Sequence, residues 1–588
     1  MVSCPWSVVS RPSFATTDST LRRVVPISRL EATDHGQPTA FFDNLAAPTL
    51  SCADFNASGV DTHTLGFPRA SGVLLHPTSL PGRYGVGDLG EEARAFADFL
   101  AGAGQALWQV LPLGPTGYGD SPYQCFSAFA GNTLLVSPES LLEDGLLDRA
   151  DVDAAPRFPP ERVDFGEAIK FKDRLLSLAF DNFERAPPAA LRAEFDAFRH
   201  REAAWLADYA LFRALKDARG GAVWNEWEMP LARREEGALA GARESLRDRV
   251  EAHEFSQFLF FRQWAALRDH CRARGIEIVG DIPIFVAYDS ADVWASRHLF
   301  KLDEACAPRV VAGVPPDYFS ATGQLWGNPI YEWDAKRAEV IEWWIGRVRA
   351  TLRLAGIARL DHFRGFAASW EVPAGDRTAV RGRWVEAPGR ELFSAIRRAL
   401  DDPPLIAEDL GVITPDVDEL RDEFGFPGMR ILQFAFGGDA ANRDLPHNYH
   451  PNVVVYTGTH DNDTTVGWFR SAAGRDSTRD AAQIARERKF CLEYLASDGA
   501  EIHWDFIRAA LESVADTAII PLQDVLGLDS RARMNLPATT EGNWAWRYER
   551  GALTAEVRER LRKLTELYGR AAGASSQAGK WEARAAQN

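Results

Sequence analysis

The sequence predicts an α/β fold, a TIM-type (β/α)8 barrel with helical insertions around its active-site cleft, and three observations lead there. Eight short apolar runs are spaced along the chain, helical patterns separate them, and several runs break off into acids or acid–histidine pairs. Strands that alternate with helices form parallel βαβ units. Eight such units close a barrel whose chemistry sits at the C-terminal strand ends. A doubly wound open sheet is the structural alternative, but no G-x-G-x-x-G follows any of these runs.

In chain order the candidate strands are SGVLLHPTSL at 71, ALWQVLPLGP at 106, IEIVGDIPIF at 276 and GIARLDHFRG at 356. PPLIAEDLG at 403, MRILQFAF at 429, NVVVYTGTHDN at 452 and AIIPLQDVLGL at 518 complete the set. The intervening segments carry helical spacing. Phe260, Trp264, Leu267 and Cys271 recur before Gly275, and Val340, Trp344, Val348, Thr351 and Ala355 recur before Gly356. In both cases a glycine stands where a helix stops. The interval from 131 to about 250 is too long for one crossover and reads as a mainly helical insertion between the second and third barrel strands.

The barrel is expected to occupy residues 69–570 of the 588, since one barrel with insertions can absorb such a length. Residues 1–68 read as a disordered extension. Their opening is rich in Ser, Thr and Arg and lacks the apolar core of a secretory signal. Either an organelle transit peptide or an upstream stretch of no function, from a start called too early, fits that composition. Residues 571–588 read as a disordered tail.

A net charge of -17 argues against a nucleic-acid partner or an anionic membrane surface, both of which require clustered Lys and Arg. No stretch of about 18 apolar residues spans a membrane. The six cysteines are scattered singly, which fits neither a zinc site nor a disulfide framework and points to a reducing compartment. The 18 Trp and 34 Phe are first of all core candidates, although as a set they suit a protein that lays sugar rings on aromatic faces.

Glycosidic bond chemistry needs two carboxyl groups in different protonation states. A third anion can hold the sugar and its developing positive charge. Asp361, Glu408 and Asp461 each stand at a candidate strand end. Alternation puts Ile357, Arg359 and Asp361 on one strand face, where Arg359 would keep Asp361 ionised. A buried structural ion pair is the competing reading. At Glu408 and Asp409 only one carboxyl can face inward, and the sequence alone does not choose. Glu408 has the reach of a proton donor, while Asp409 suits the start of a following helix. Asp461 and Asp463 have the spacing of a calcium string but lack the glycine and distal glutamate of a calcium loop.

Seven segments together resemble the amylomaltases, the 4-α-glucanotransferases of glycoside hydrolase family 77 in the α-amylase clan. They are RASGVLLHPTSLPGRYGVGDLG at 69, GPTGYGDSPYQ at 114, GDIPIFVAYDSADVW at 280, GVPPDYFSATGQLWGNPIYEW at 313, ARLDHFRGF at 358, IAEDLG at 406 and GTHDNDTTVGW at 458. The resemblance covers residues 69 to about 570. It implies retaining transfer of α-1,4-glucan segments from a donor to glucose or a maltooligosaccharide, with no cofactor or metal. By the same resemblance Asp361 is the nucleophile, Glu408 the general acid/base, and Asp461 the acid that stabilises the transition state. Arg359 and His460 match contacts to the sugar at the cleavage point, and Tyr123 and Gln124 match donor-side contacts. The segment at 313–329, read as an irregular lid because glycine and proline punctuate it, would bring Asp317, Tyr318, Phe319 and Trp326 against the glucan. The single cysteines and the absence of a secretory signal lead to the expectation of a cytoplasmic protein, or one of the plastid stroma if residues 1–68 are a transit peptide.

Overall fold

A computed structural model of the chain describes residues 67–316, 322–472, 479–537, 539 and 541–572. The expectations for residues 1–66 and 573–588, and for Asp317, Tyr318 and Phe319, lie outside the described residues.

Numbered in chain order, the strands are β1 Ala70–Leu74, β2 Leu107–Gln109, β3 Glu277–Ile282, β4 Val310–Val314, β5 Gln324–Pro329, β6 Ile357–Leu360, β7 Ala368–Pro373, β8 Arg383–Glu386, β9 Leu405–Ala407, β10 Gly428–Ile431, β11 Val453–Tyr456 and β12 Thr517–Pro521. Eight of them close a barrel in the order β1-β2-β3-β6-β9-β10-β11-β12, every pair parallel. Each lies on one of the eight apolar runs. All residues of β1, β2, β6, β9, β10, β11 and β12 are buried, which is why these strands read as continuous hydrophobic runs. At Gly72 the barrel wall is so tight that a Cβ would come within 2.4 Å of Leu107. Any side chain there would push β1 off β2.

The two helices expected from their spacing run from Arg247 to Arg272 and from Trp333 to Leu354, and Gly275 beyond the first has φ 70°. Between β2 and β3 the chain is helical, including Phe165–Arg185, Ala189–Arg201 and Ala203–Ala218. These helices pack on Arg247–Arg272 through interlocked phenylalanines, with the rings of Phe183 and Phe255 4.3 Å apart and Phe195 edge-on to both. Much of the aromatic surplus is therefore core. Trp108, Trp224, Trp264, Trp294 and Trp344 are fully buried as well.

The second sheet is a correction to the sequence reading. Residues 313–329 do not form an irregular segment throughout, because β4 and β5 lie in an antiparallel sheet ordered β5-β4-β7-β8. The glycines and prolines are accommodated, not disruptive. Pro329 sits opposite Val311 at the end of edge strand β5, where a missing N–H costs little, and the register shifts between Val311 and Gly313. What converts the segment to strand is β7, which pairs with β4 from Val310 to Gly313 and comes from the far side of β6.

Candidate active site

The carboxyl ends of β3, β6, β9 and β11 face a cleft of about 2230 Å³. That is more than twice the roughly 1000 Å³ upper end of pockets for small ligands, so it has room for an oligomer. Its lining includes Tyr123, Gln124, Trp326, Arg359, Asp361, Glu408, His460 and Asp461, so the structure brings together every described candidate.

The charge arrangement starts from strand register. Asp281 in β3 is paired directly with Arg359 in β6, and both side chains are buried. Arg359 Nη1 donates to Asp281 Oδ1 and Oδ2 at 2.8 and 2.7 Å, and its Nη2 donates to Asp361 Oδ1 at 2.9 Å. One guanidinium thus bridges a fully enclosed carboxylate and a partly exposed one facing the cleft. Tyr123 adds a third donor, its hydroxyl giving a 2.7 Å bond to Asp281 Oδ2. Burial and the neighbouring carboxylates hold that phenol well above its usual range, so it stays protonated.

Glu408 follows directly on β9, its backbone N–H bonded to Leu360 O at 3.0 Å and its carbonyl accepting from Phe363 N at 3.0 Å. The turn between these contacts places His362 in the left-handed region, with φ 49°. There its N–H donates to Glu408 Oε2 at 2.6 Å, and Leu410 N donates to Oε1 at 3.1 Å. Burial raises the Glu408 carboxyl to about 8, the nearby Asp361 adds to this, and Arg359 only partly offsets it. The His362 imidazole is pushed down to about 4 by burial and stands edge-on to Trp326, ring centres 4.8 Å apart.

Asp409 points the other way. It is buried among Arg421, Arg430 and Arg443, with nitrogens 2.5, 3.3 and 2.7 Å from its Oδ2, and accepts from Met429 N at 2.7 Å. It does not cap a helix, because the next one begins at Pro415 with Thr414 as its N-cap.

Beyond β11, His460 is buried and stacks on Tyr123, with ring centres 5.0 Å apart. Asp461 is exposed to the cleft, 3.4 Å from His460 Nε2, and its Oδ1 accepts from Asn535 Nδ2 at 2.6 Å. Asp463 is taken up by Ser530 Oγ at 2.7 Å and Thr464 N at 2.8 Å. Gln124 donates to Asn328 Oδ1 at 3.3 Å, tying the loop after β2 to β5.

Sequence reasoning missed Asp281, Asn535 and Trp544 as site residues. Asp281 carried a signal, an acid inside an apolar strand run, with Arg359 as an inward-facing base on another such run. Trp544 gave none. It belongs to a loop far along the chain, has φ 62°, and reaches Tyr123 and His460 with ring centres 5.8 Å from each.

A closed parallel barrel that gathers a raised carboxyl, an ion-paired carboxylate and aromatic rings at its carboxyl edge defines an enzyme that works with carboxyl groups in a wide cleft. The chain belongs to glycoside hydrolase family 77, whose model, described as 4-alpha-glucanotransferase, matches residues 75–554. It is 54% identical over 507 residues to a 4-alpha-glucanotransferase of Thermus thermophilus, covering 85% of this chain and 98% of that one. It is 45% identical over 509 residues to the chloroplastic/amyloplastic 4-alpha-glucanotransferase of Arabidopsis thaliana, covering 85% and 86%. Among solved structures it is similar to an amylomaltase from Streptococcus agalactiae in complex with acarbose, at 40% identity and a TM-score of 0.81, covering 86% of this chain and all of that one.

Proposed function

We propose that this chain is a 4-alpha-glucanotransferase that moves α-1,4-glucan segments from a donor to the 4-hydroxyl of glucose or an acceptor glucan, with retention of configuration. The observation that carries the reading is the split between two neighbouring carboxyls. Glu408 is buried and raised to about 8, whereas Asp361 is ion-paired to Arg359. Carboxyls set in such different surroundings are what a retaining mechanism requires.

In that mechanism Asp361 attacks the anomeric carbon while Glu408 protonates the leaving oxygen, and a β-linked glucosyl-enzyme forms as the free chain departs. Glu408, now ionised, takes the proton from an incoming 4-hydroxyl, whose oxygen attacks the same carbon and restores the α configuration. Asp461 holds the sugar hydroxyls and stabilises developing positive charge. Arg359 and His460 contact the sugar at the cleavage point, and Tyr123 and Gln124 the donor side. Asp317, Tyr318, Phe319 and Trp326 lie over the glucan and limit access of water to the intermediate. The barrel runs from 69 to 570, and 131–250 is its helical insertion. No helix among the described residues is long and apolar enough to cross a membrane. We place the enzyme in the cytoplasm, with the plastid stroma as the alternative that its similarity to the Arabidopsis protein raises.

Incubation with maltotriose tests the reading. Transfer yields glucose together with chains longer than the substrate. Shorter sugars alone would make the protein a hydrolase, and unchanged maltotriose would make it a glucan-binding protein.

A further inference from the structure

Trp384 stands outside the barrel, on β8, the outer strand of the second sheet. It is 38% exposed, yet it lines the same cleft as Asp361 and Glu408. A single exposed aromatic needs no explanation by itself. This one is fixed on two sides. The Arg364 guanidinium covers one ring face at 4.0 Å from the centroid, and Trp370, its cross-strand partner on β7, meets it edge-on with centres 5.3 Å apart. Both clamps are anchored in turn. Arg364 Nη1 donates to Thr414 Oγ1 at 2.7 Å, and Trp370 Nε1 donates to Ala379 O at 2.9 Å. A ring so held has surrendered its rotamer freedom before any ligand arrives, so stacking on its open face costs little further entropy.

We propose that Trp384 is the stacking platform of a remote sugar subsite on the acceptor and leaving-chain side of the cleft. This rests on the glucanotransferase reading, which it extends to chain-length preference. The side follows from the anchors. Arg364 lies three residues beyond Asp361, and Thr414 six beyond Glu408, in the loop that carries Leu410, Gly411 and Val412 along the cleft wall. Glu408 exchanges its proton with the oxygen of the leaving or incoming chain, so the wall it leads into flanks that chain. A pyranose turns an apolar C–H face to such a ring while its hydroxyls stay in water.

The test uses a fixed donor and labelled acceptors of increasing length, and reads the ratio of acceptor kcat/KM for maltoheptaose over glucose. Glucose fills only the position next to Glu408, whereas maltoheptaose extends along the wall. Trp384→Ala is expected to lower the ratio about tenfold, the order of one well-oriented aromatic contact. Trp384→Phe, which keeps a flat ring, should retain most of it. An unchanged ratio overturns the proposal, and so does an equal loss at both lengths, which would make Trp384 a structural support. Failure of the wild type to transfer to either acceptor would instead sink the glucanotransferase reading.

Discussion

The two sides of β9 at its carboxyl end hold acids one residue apart in opposite electrostatic settings. On the cleft side Glu408 has two backbone N–H donors, shares the field of Arg359 with two other carboxyls, and is raised to about 8. On the far side Asp409 has three arginines around one carboxylate. Alternation along the strand separates them, but the charges they meet come from other elements. The contrast teaches that a proton donor is made here by burial that one shared cation only partly offsets, and a structural anchor by surrounding the acid with cations.

Breaking the cleft side should have the largest effect. Glu408→Gln is expected to lower transfer from natural glucans by roughly 10²–10⁴, the range for loss of a general acid–base group. It should still form the glucosyl-enzyme from donors whose leaving group needs no proton, detected as trapped intermediate by mass spectrometry. The wild-type acid must be protonated for the first step, so kcat/KM should fall as pH rises through about 8. Stability carries the same sign. The folded carboxyl binds its proton more tightly than the unfolded one, so Glu408 loses its favourable contribution as pH climbs from the ordinary glutamate range toward about 8. The amide introduced by Glu408→Gln stays neutral throughout but sets a donor against one of the two backbone N–H groups. The variant's melting temperature should therefore lack the decline with pH that the wild type shows between the ordinary glutamate value of 4.5 and about 8, whatever its absolute level.

On the far side, Asp409→Asn should act on the fold. Removing one partner of a buried charge cluster costs about 3–5 kcal/mol, measurable as a lower denaturant midpoint, with a smaller loss of kcat than Glu408→Gln. If Asp409→Asn instead abolished transfer in a stably folded protein while Glu408→Gln did not, the two roles would be reversed.

The smallest effect sharpens the same contrast. Tyr123→Phe removes one donor from Asp281 but leaves both contacts from Arg359 Nη1 in place and the ring on His460. A loss of up to about tenfold in kcat/KM is expected, in line with one hydrogen bond to a charged group. A thousandfold loss would mean that the phenol itself touches the reacting sugar.

The barrel was legible because its signals are local. Eight apolar runs and the helical repeats between them are written within a few residues of each other, as at Phe260, Trp264 and Leu267. The positions of Asp361, Glu408 and Asp461 at strand ends were legible for the same reason. The second sheet was not, since β4 becomes a strand by pairing with β7, some 60 residues away, and its own glycines and prolines read as punctuation.

Sequence by itself determined the order of the elements, the residue types at each strand end and the family to which they are similar. Tertiary structure alone decided which of two adjacent acids faces the cleft and which cation each one meets. It also brought Trp384 from the second sheet and Asn535 from a distant loop to the same cleft. The physical reason is that periodicity is a property of neighbours in the chain, whereas protonation state depends on burial and on charges a few ångströms away in space. Arg359, Arg421, Arg430 and Arg443 take up those distances only when the barrel has closed.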